Sequence, residues 1–396
     1  MNIFEQSLLT FSNKVTDEIK NNKEYYNFLL KNNSNSWAQL YLGQIYQEGY
    51  GIKINLDEAI KWYKLSAEQH NMFAQNELAY IYNFGLGVEL NYTEALRLYK
   101  LSAQQNYSLA QFNIANMYYE GQGVEKDIIE SIKWYELAAE QNHCDSQFYL
   151  GEIFYYGDGV EINLNEAIKW YKLAAEQNHD EALLSLGFIF YYGDNNYNIE
   201  SSQQEAYKYF KLSAELNNEY SQYKLALMYY YGEYIQDYKE AYKWFILAAR
   251  QNHSDSQYML GKMFQKAKGK TQDYKEAIRW FKLSEEQNND KARYRLLHIY
   301  TRAKKYNIDY EEALFWLKQQ SDNNNENLED EDYNYALQYL MESFKEEIFK
   351  SYIQQFNKIV ELENELSKIN NYVTHLETLP GSQLYEEAKN EFYTLI

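Results

Sequence analysis

Residues 146–181, SQFYLGEIFYYGDGVEINLNEAIKWYKLAAEQNHDE, return in altered form one period of about 36 residues away in both directions. Eight such units begin at Ala38, Ala74, Ala110, Ser146, Ala182, Ser221, Ser256 and Ala292, at spacings of 36, 36, 36, 36, 39, 35 and 36. A unit this short cannot bury its own apolar face. Neighbours must stack and share one elongated core, which overrides the separate domains that a 396-residue chain would otherwise suggest.

Each unit divides into two helical segments. In the first, small and apolar residues recur at helical spacing (Ser146, Leu150, Gly151, Ile153, Phe154). In the second, Ala167, Trp170, Tyr171, Ala174 and Ala175 form the apolar face, with Glu166, Lys169, Lys172 and Glu176 on the other side. The single proline, Pro380, agrees with long uninterrupted helix. A small-residue column (Gly43, Ala79, Ala115, Gly151, Gly187, Ala226, Gly261) lets the paired helix approach closely. The turn glycines Gly49/Gly51, Gly85/Gly87, Gly121/Gly123 and Gly157/Gly159 supply positive φ where the first helix ends. A bulky column, Trp62, Leu98, Trp134, Trp170, Tyr209, Trp244, Trp280 and Trp316, is expected to fill the space between units. Its neighbour column runs Tyr63, Tyr99, Tyr135, Tyr171, Phe210, Phe245, Phe281 and Leu317. Asn142, Asn178 and Asn252 fall just past second helices, where asparagine tolerates the left-handed conformation. The pattern decays at the end: the eighth unit has no turn glycine, and Leu297 replaces the small residue.

Outside the repeats, residues 1–36 read as a helical N-terminal cap and residues 37–321 as the solenoid. Residues 322–332 read as an acidic loop and 333–396 as C-terminal helices. Within these, Ile359, Leu362, Leu366, Ile369, Val373 and Leu376 form a short heptad stripe over 359–376. That stripe either docks on the eighth unit or pairs two copies of the chain, leaving a monomer or a homodimer.

These columns resemble the Sel-one-like repeat family of α/α solenoids, relatives of the tetratricopeptide repeat. Ala38, Leu42-Gly43, Tyr46, Gly49, Gly51, Ala59, Trp62-Tyr63 and Ala67 carry the match in the first unit. In the fourth, Ser146, Leu150-Gly151, Phe154, Gly157, Gly159-Val160, Ala167, Trp170-Tyr171 and Ala174-Ala175 carry it. Asn or His stands where the family's final glycine falls. The Asn- and Tyr-rich composition and the tail LETLPGSQLYEEAKNEF also resemble repeat proteins of giant DNA viruses of amoebae. The resemblance implies an all-α, right-handed superhelical solenoid and a scaffold or adaptor rather than an enzyme.

It also implies that first helices line a concave groove, and three columns of this sequence would face it. One is Leu40, Asn76, Phe112, Phe148, Leu184, Tyr223, Tyr258 and Tyr294. The second is Gln44, Tyr80, Asn116, Glu152, Phe188, Leu227, Lys262 and His298, and the third Gln47, Asn83, Tyr119, Tyr155, Tyr191, Tyr230, Gln265 and Thr301. From them Tyr80, Phe112, Tyr119, Phe148, Glu152, Tyr155, Phe188, Tyr191, Tyr223, Tyr230 and Tyr258 form the expected partner-binding set. Aromatic rings at that density suit an extended protein or peptide partner, and equally suit burial by packing. Charge drifts along the same face, from Glu48, Glu120 and Glu152 toward Lys262, Lys266 and Arg302.

Other chemistry finds little support. A formal net charge of −20 makes general binding to nucleic acid or an anionic membrane unfavourable. No 18-residue apolar run and no secretory leader is evident, and the single Cys144 fits a reducing, cytoplasmic compartment, that of a host cell if the chain is viral. His70, His143, His179 and His253 recur at unit ends, too far apart to converge on one metal, and read as structural. The adjacent His143–Cys144 pair lacks an orienting third group. Gly157-Asp158-Gly159 follows a helix and lacks the lysine of a phosphate loop. No catalytic residue, metal ligand or cofactor is therefore expected.

Overall fold

In a computed structural model, residues 23–306 are described continuously, followed by 308–309, 311–313, 315–316 and short stretches between 354 and 371. Among these residues the chain is α-helical without strands. They fall into two compact units, one ending at Gln251 and the other beginning at Asn252.

The first unit holds α1 (Lys23–Lys31), then six helix pairs: α2 (Ser36–Glu48) and α3 (Leu56–Glu68); α4 (Met72–Phe84) and α5 (Tyr92–Ala103); α6 (Ser108–Glu120) and α7 (Ile128–Ala139). They continue with α8 (Cys144–Tyr156) and α9 (Leu164–Glu176); α10 (Asp180–Tyr192) and α11 (Gln203–Glu215); α12 (Glu219–Tyr231) and α13 (Tyr238–Arg250). The second unit holds α14 (Ser254–Lys266), α15 (Tyr274–Glu285), α16 (Asp290–Tyr300) and α17 (Ala303–Tyr306).

The helix ends are set by residues that recur with the period. Second helices start at Asn55, Asn91, Asp127, Asn163, Ser202, Asp237 and Asp273, whose side chains accept from free first-turn amides. First helices end at glycines of positive φ, such as Gly157 at 71°; Ala267 takes the same left-handed conformation in α14. Asn142, Asn178 and Asn252 have φ of 61°, 63° and 69°, the conformation expected for them. The longer fifth spacing is absorbed after α10, where a 3₁₀ turn (Asn195–Tyr197) and an isolated Asp194–Ile199 bridge replace the glycine turn.

The two columns share the core unequally. Tyr63, Tyr99, Tyr135, Tyr171, Phe210, Phe245 and Phe281 are fully buried at the centre of each pair. A Cβ added at Gly151 would sit 2.5 Å from the Tyr171 ring, so the small-residue column exists to seat these rings. The tryptophans are mostly half-buried: Trp134, Trp170 and Trp244 each pack against the core of the preceding pair, as the spacing predicts.

A polar ladder accompanies the rings. Gln39, Gln75, Gln111, Gln147, Gln222 and Gln257 are buried, and each accepts from a glutamine at the end of its own second helix, as Gln147 does from Gln177 at 2.8 Å. In the fifth pair Leu183 and Leu216 stand at both positions, so the ladder is replaced as a pair rather than broken. Buried Ser66, Ser102, Ser213 and Ser284 donate to first-helix carbonyls of the same pair. At the start, α1 lays Tyr25 and Leu29 against Ala38, Leu42 and Ile45. Most of the expected cap, the acidic loop, most of the C-terminal helices, Leu317, Val373 and Leu376 lie outside the described residues.

Candidate functional site

Exposed aromatic residues of the first unit recur at one position, the last residue of a first helix, while others such as Tyr149, Tyr220 and Tyr234 lie elsewhere. Three consecutive first helices, α8, α10 and α12, end in Tyr156, Tyr192 and Tyr231, which are 67%, 66% and 55% exposed. Phe84 holds the same position in α4 at 54%, while Glu120 interrupts the series in α6.

Each exposed ring is braced by two layers beneath it. Tyr156 meets Tyr155 edge-on at 4.9 Å, and Tyr155 leans on buried Tyr171 at 6.4 Å. Tyr192 meets Tyr191 at 4.9 Å, with Phe210 6.3 Å behind it. Tyr231 meets Tyr230 at 5.0 Å, with Phe245 at 6.3 Å. Edge-to-face contacts of this kind hold a ring in place before any ligand arrives, lowering the rotamer entropy lost on binding.

The residues expected to bind a partner are distributed differently. Tyr80 is exposed and lies 4.5 Å from Phe84. Phe112, Phe148, Tyr155, Phe188, Tyr191, Tyr223 and Tyr258 are half-buried and rest on the central rings; Phe148, for example, stacks on His179 at 4.5 Å. Tyr230 is buried, so the expectation that it meets a partner is corrected: Tyr231 beside it is the accessible ring. Tyr119 donates to Asp158 of the next pair at 2.7 Å and lies under the Lys126 amine, and its hydroxyl is pushed up to about 12, first by that hydrogen bond and then by burial. Burial and then Glu233 raise Tyr191 to about 12.

Glu152 also departs from the expected exposed role. It is half-buried and accepts from the Tyr171 hydroxyl at 2.5 Å. In the preceding pair Tyr135 donates to Asn116 at the same two positions, whereas Phe210, Phe245 and Phe281 face a column of Phe188, Leu227 and Lys262. Burial raises the Glu152 carboxyl, with the Tyr171 bond working in the opposite direction. A carboxyl raised on folding binds more protons folded than unfolded, so its contribution becomes unfavourable as pH rises past its unfolded value. Glu152→Gln keeps an acceptor for Tyr171 and removes that charge. It is expected to raise the thermal midpoint at pH 7, with the gain vanishing below the ordinary glutamate pKa of 4.5. Calorimetry of both proteins across that range checks it.

Three of the histidines cap helices, while His70 takes the left-handed conformation at a φ of 59°. His143, His179 and His253 precede α8, α10 and α14, and their Nδ1 atoms accept from Ser146, Ala182 and Ser256 amides at 3.2–3.3 Å. Asn35, Asn71, Asn218 and Asn289 do the same elsewhere. His179, Asp180 and Glu181 bring ligand-type atoms within 4.8 Å of one another, but Nδ1 is committed to the cap and the helix N-terminus opposes a cation. Cys144 points its thiol toward the Ala174 carbonyl at 3.7 Å, and burial pushes the thiol up, the reverse of an activated nucleophile.

The Sel1 repeat family model matches residues 38–71, 73–107, 108–143, 144–179, 180–218, 219–253, 254–289 and 303–325, well over half of the chain. The chain belongs to the Sel1 repeat family. The last match begins later than Ala292, where internal comparison starts the eighth unit. Among solved structures, the protective antigen c5321 of uropathogenic Escherichia coli, which displays an SLR fold, is 27% identical with a TM-score of 0.60. That alignment covers 79% of this chain and 66% of the antigen, so the chain spans just under two thirds of its length. A Sel1 repeat protein from Oxalobacter formigenes is 32% identical with a TM-score of 0.54, over 64% of this chain and 100% of that one. No curated protein matches in sequence at a significant level. Sel1 repeat proteins generally act as non-enzymatic scaffolds for protein–protein interaction. Among the described residues no helix is long and apolar enough to cross a membrane.

Proposed function

We propose that this Sel1 repeat protein is an adaptor that holds an extended segment of a partner protein along the tyrosine band of α8, α10 and α12. The exposure of Tyr156, Tyr192 and Tyr231 on braced supports carries this reading. Water gains little from leaving such rings exposed, and tyrosine is over-represented where interfaces gain most of their energy. The band lies one residue beyond the third of the three columns marked in the sequence, so the half-buried aromatics there act as its supports.

Peptides selected from a random display library against the whole chain provide the test. The triple replacement Tyr156→Ala, Tyr192→Ala and Tyr231→Ala should abolish their binding while leaving helical content unchanged. Selected peptides that bind this variant as tightly as the parent would remove the proposal.

One observation favours a second role, self-assembly through the C-terminal heptads. Ile359, Leu362, Leu366 and Ile369 lie on helix and are each roughly half exposed, which argues against the stripe docking within the chain. Light scattering should then report a dimer, and Leu362→Glu with Leu366→Glu should return the monomer. A monomeric parent chain refutes this role.

A further inference from the structure

The second compact unit carries a basic surface that neither the aromatic band nor the fold requires. Residues 256–272 and 291–308 contain no Asp or Glu, although the whole chain holds 58 of them. The two stretches are one repeat apart and cover most of α14 and α16 with the turns that follow. On α16 and the turn after it, Lys291, Arg295, His298 and Arg302 are spaced by four, three and four, which places them on one stripe. Lys262 and Lys266 stand at the positions of His298 and Arg302 in the preceding repeat.

The groups face one another across the helices. Burial first, then the charges of Lys266, Arg295 and Lys291, hold the Lys262 amine below its ordinary value. The His298 imidazole is lowered by burial and then by Arg302, Arg295 and Lys305. Elsewhere each second helix pairs one lysine or arginine with a glutamate three residues earlier, as Lys243 does with Glu240 and Lys169 with Glu166. Lys262, Lys266, Arg295, Arg302 and Lys305 form no ion pair among the described residues. The Gln265 Oε1 and His298 Nδ1 atoms, within the same surface, find no hydrogen-bond partner among the described residues. Lys291 lies 3.7 Å from Asp255; among the described residues no carboxylate pairs with the other five cations of this surface.

We infer that this face of α14 and α16 is a docking site for a short acidic segment of a protein partner. Carboxylates would relieve the repulsion among these cations and gain charge-assisted hydrogen bonds from two arginines. The net charge of −20 repels any long polyanion approaching the whole chain, which favours a short peptide over nucleic acid. Exposed Tyr294 and the Tyr258 ring, whose centroid lies 5.3 Å from the Lys262 amine, offer contact area for the peptide backbone. The inference rests on the scaffold reading only for the class of partner, and it does not need the tyrosine band.

The probe is a labelled peptide of alternating Glu and Ser, about a dozen residues long, titrated against the full chain by fluorescence anisotropy at low salt. Binding should be saturable, weaken with added salt, and vanish when glutamine replaces glutamate in the peptide. Lys266→Gln with Arg302→Gln, both exposed, should weaken it at least about tenfold; Lys262→Gln with Arg295→Gln should do the same or more. The Tyr156, Tyr192, Tyr231 triple variant should bind the probe as the parent does, so that loss of the band and loss of this site read out separately. Equal binding of the glutamine peptide, no effect of either charge pair, or tighter binding of a single-stranded oligonucleotide of matched charge would each overturn the inference.

Discussion

Replacing Tyr171 by alanine is expected to lower the stability of the chain by about 3–5 kcal/mol, the usual cost of removing a fully buried aromatic ring. The ring is completely buried, seats against Gly151, and supports Tyr155 and Phe148 on its other sides. Nothing nearby can collapse into the space, because the small residue opposite it is glycine. Tyr171→Phe should cost much less, on the order of 1–2 kcal/mol, since Phe210 and Phe245 fill the same position and only the hydroxyl's bonds, with Glu152 and Ser185, are lost. Denaturant unfolding gives both numbers, and an alanine variant within about 1 kcal/mol of the parent would refute the packing argument. In a stacked chain each pair touches only its neighbours. Hydrogen exchange should therefore rise first in α8 and α9 and in the helices beside them.

The Tyr156, Tyr192 and Tyr231 triple replacement should have the opposite signature: nearly unchanged stability and loss of peptide affinity by at least about 100-fold. Substitutions at exposed surface sites usually lie within about 0.5 kcal/mol in stability. Removing three anchoring aromatics from one interface commonly costs more than 2 kcal/mol in binding. The corresponding replacement of Phe148, Tyr155 and Tyr191 is a poor test of function, because those rings bear on Tyr171 and Phe210 and their loss undermines the fold as well. Comparing the two triples separates the surface from its supports. Equal loss of stability in both would show that the band is packing.

Much of the structure was legible because a repeat is read eight times. Spacing alone located the helix pairs, the glycine turns, the left-handed asparagines and the seats for the large rings. Each follows from local chemistry: a cap needs an acceptor, a positive φ needs glycine or asparagine, and a large ring needs a small residue opposite. The glutamine ladder lies in the same columns but carries no local signal of burial. A glutamine looks like a surface residue until its partner, 30 residues on, is known to be adjacent.

What the sequence determined by itself was the all-α architecture, its period and the face that carries aromatics. Only the tertiary structure decided which of those aromatics meet water. Tyr155 and Tyr156 are neighbours of identical chemistry, yet one is a support and the other is two thirds exposed. The difference is about 100° of rotation around a helix. Whether that angle turns a ring toward Tyr171 or toward solvent depends on how the second helix of the pair packs on the first, a tertiary fact that no local pattern encodes. The same holds for Glu152, a surface charge by type that became a buried acceptor because Tyr171 reaches it from the facing helix.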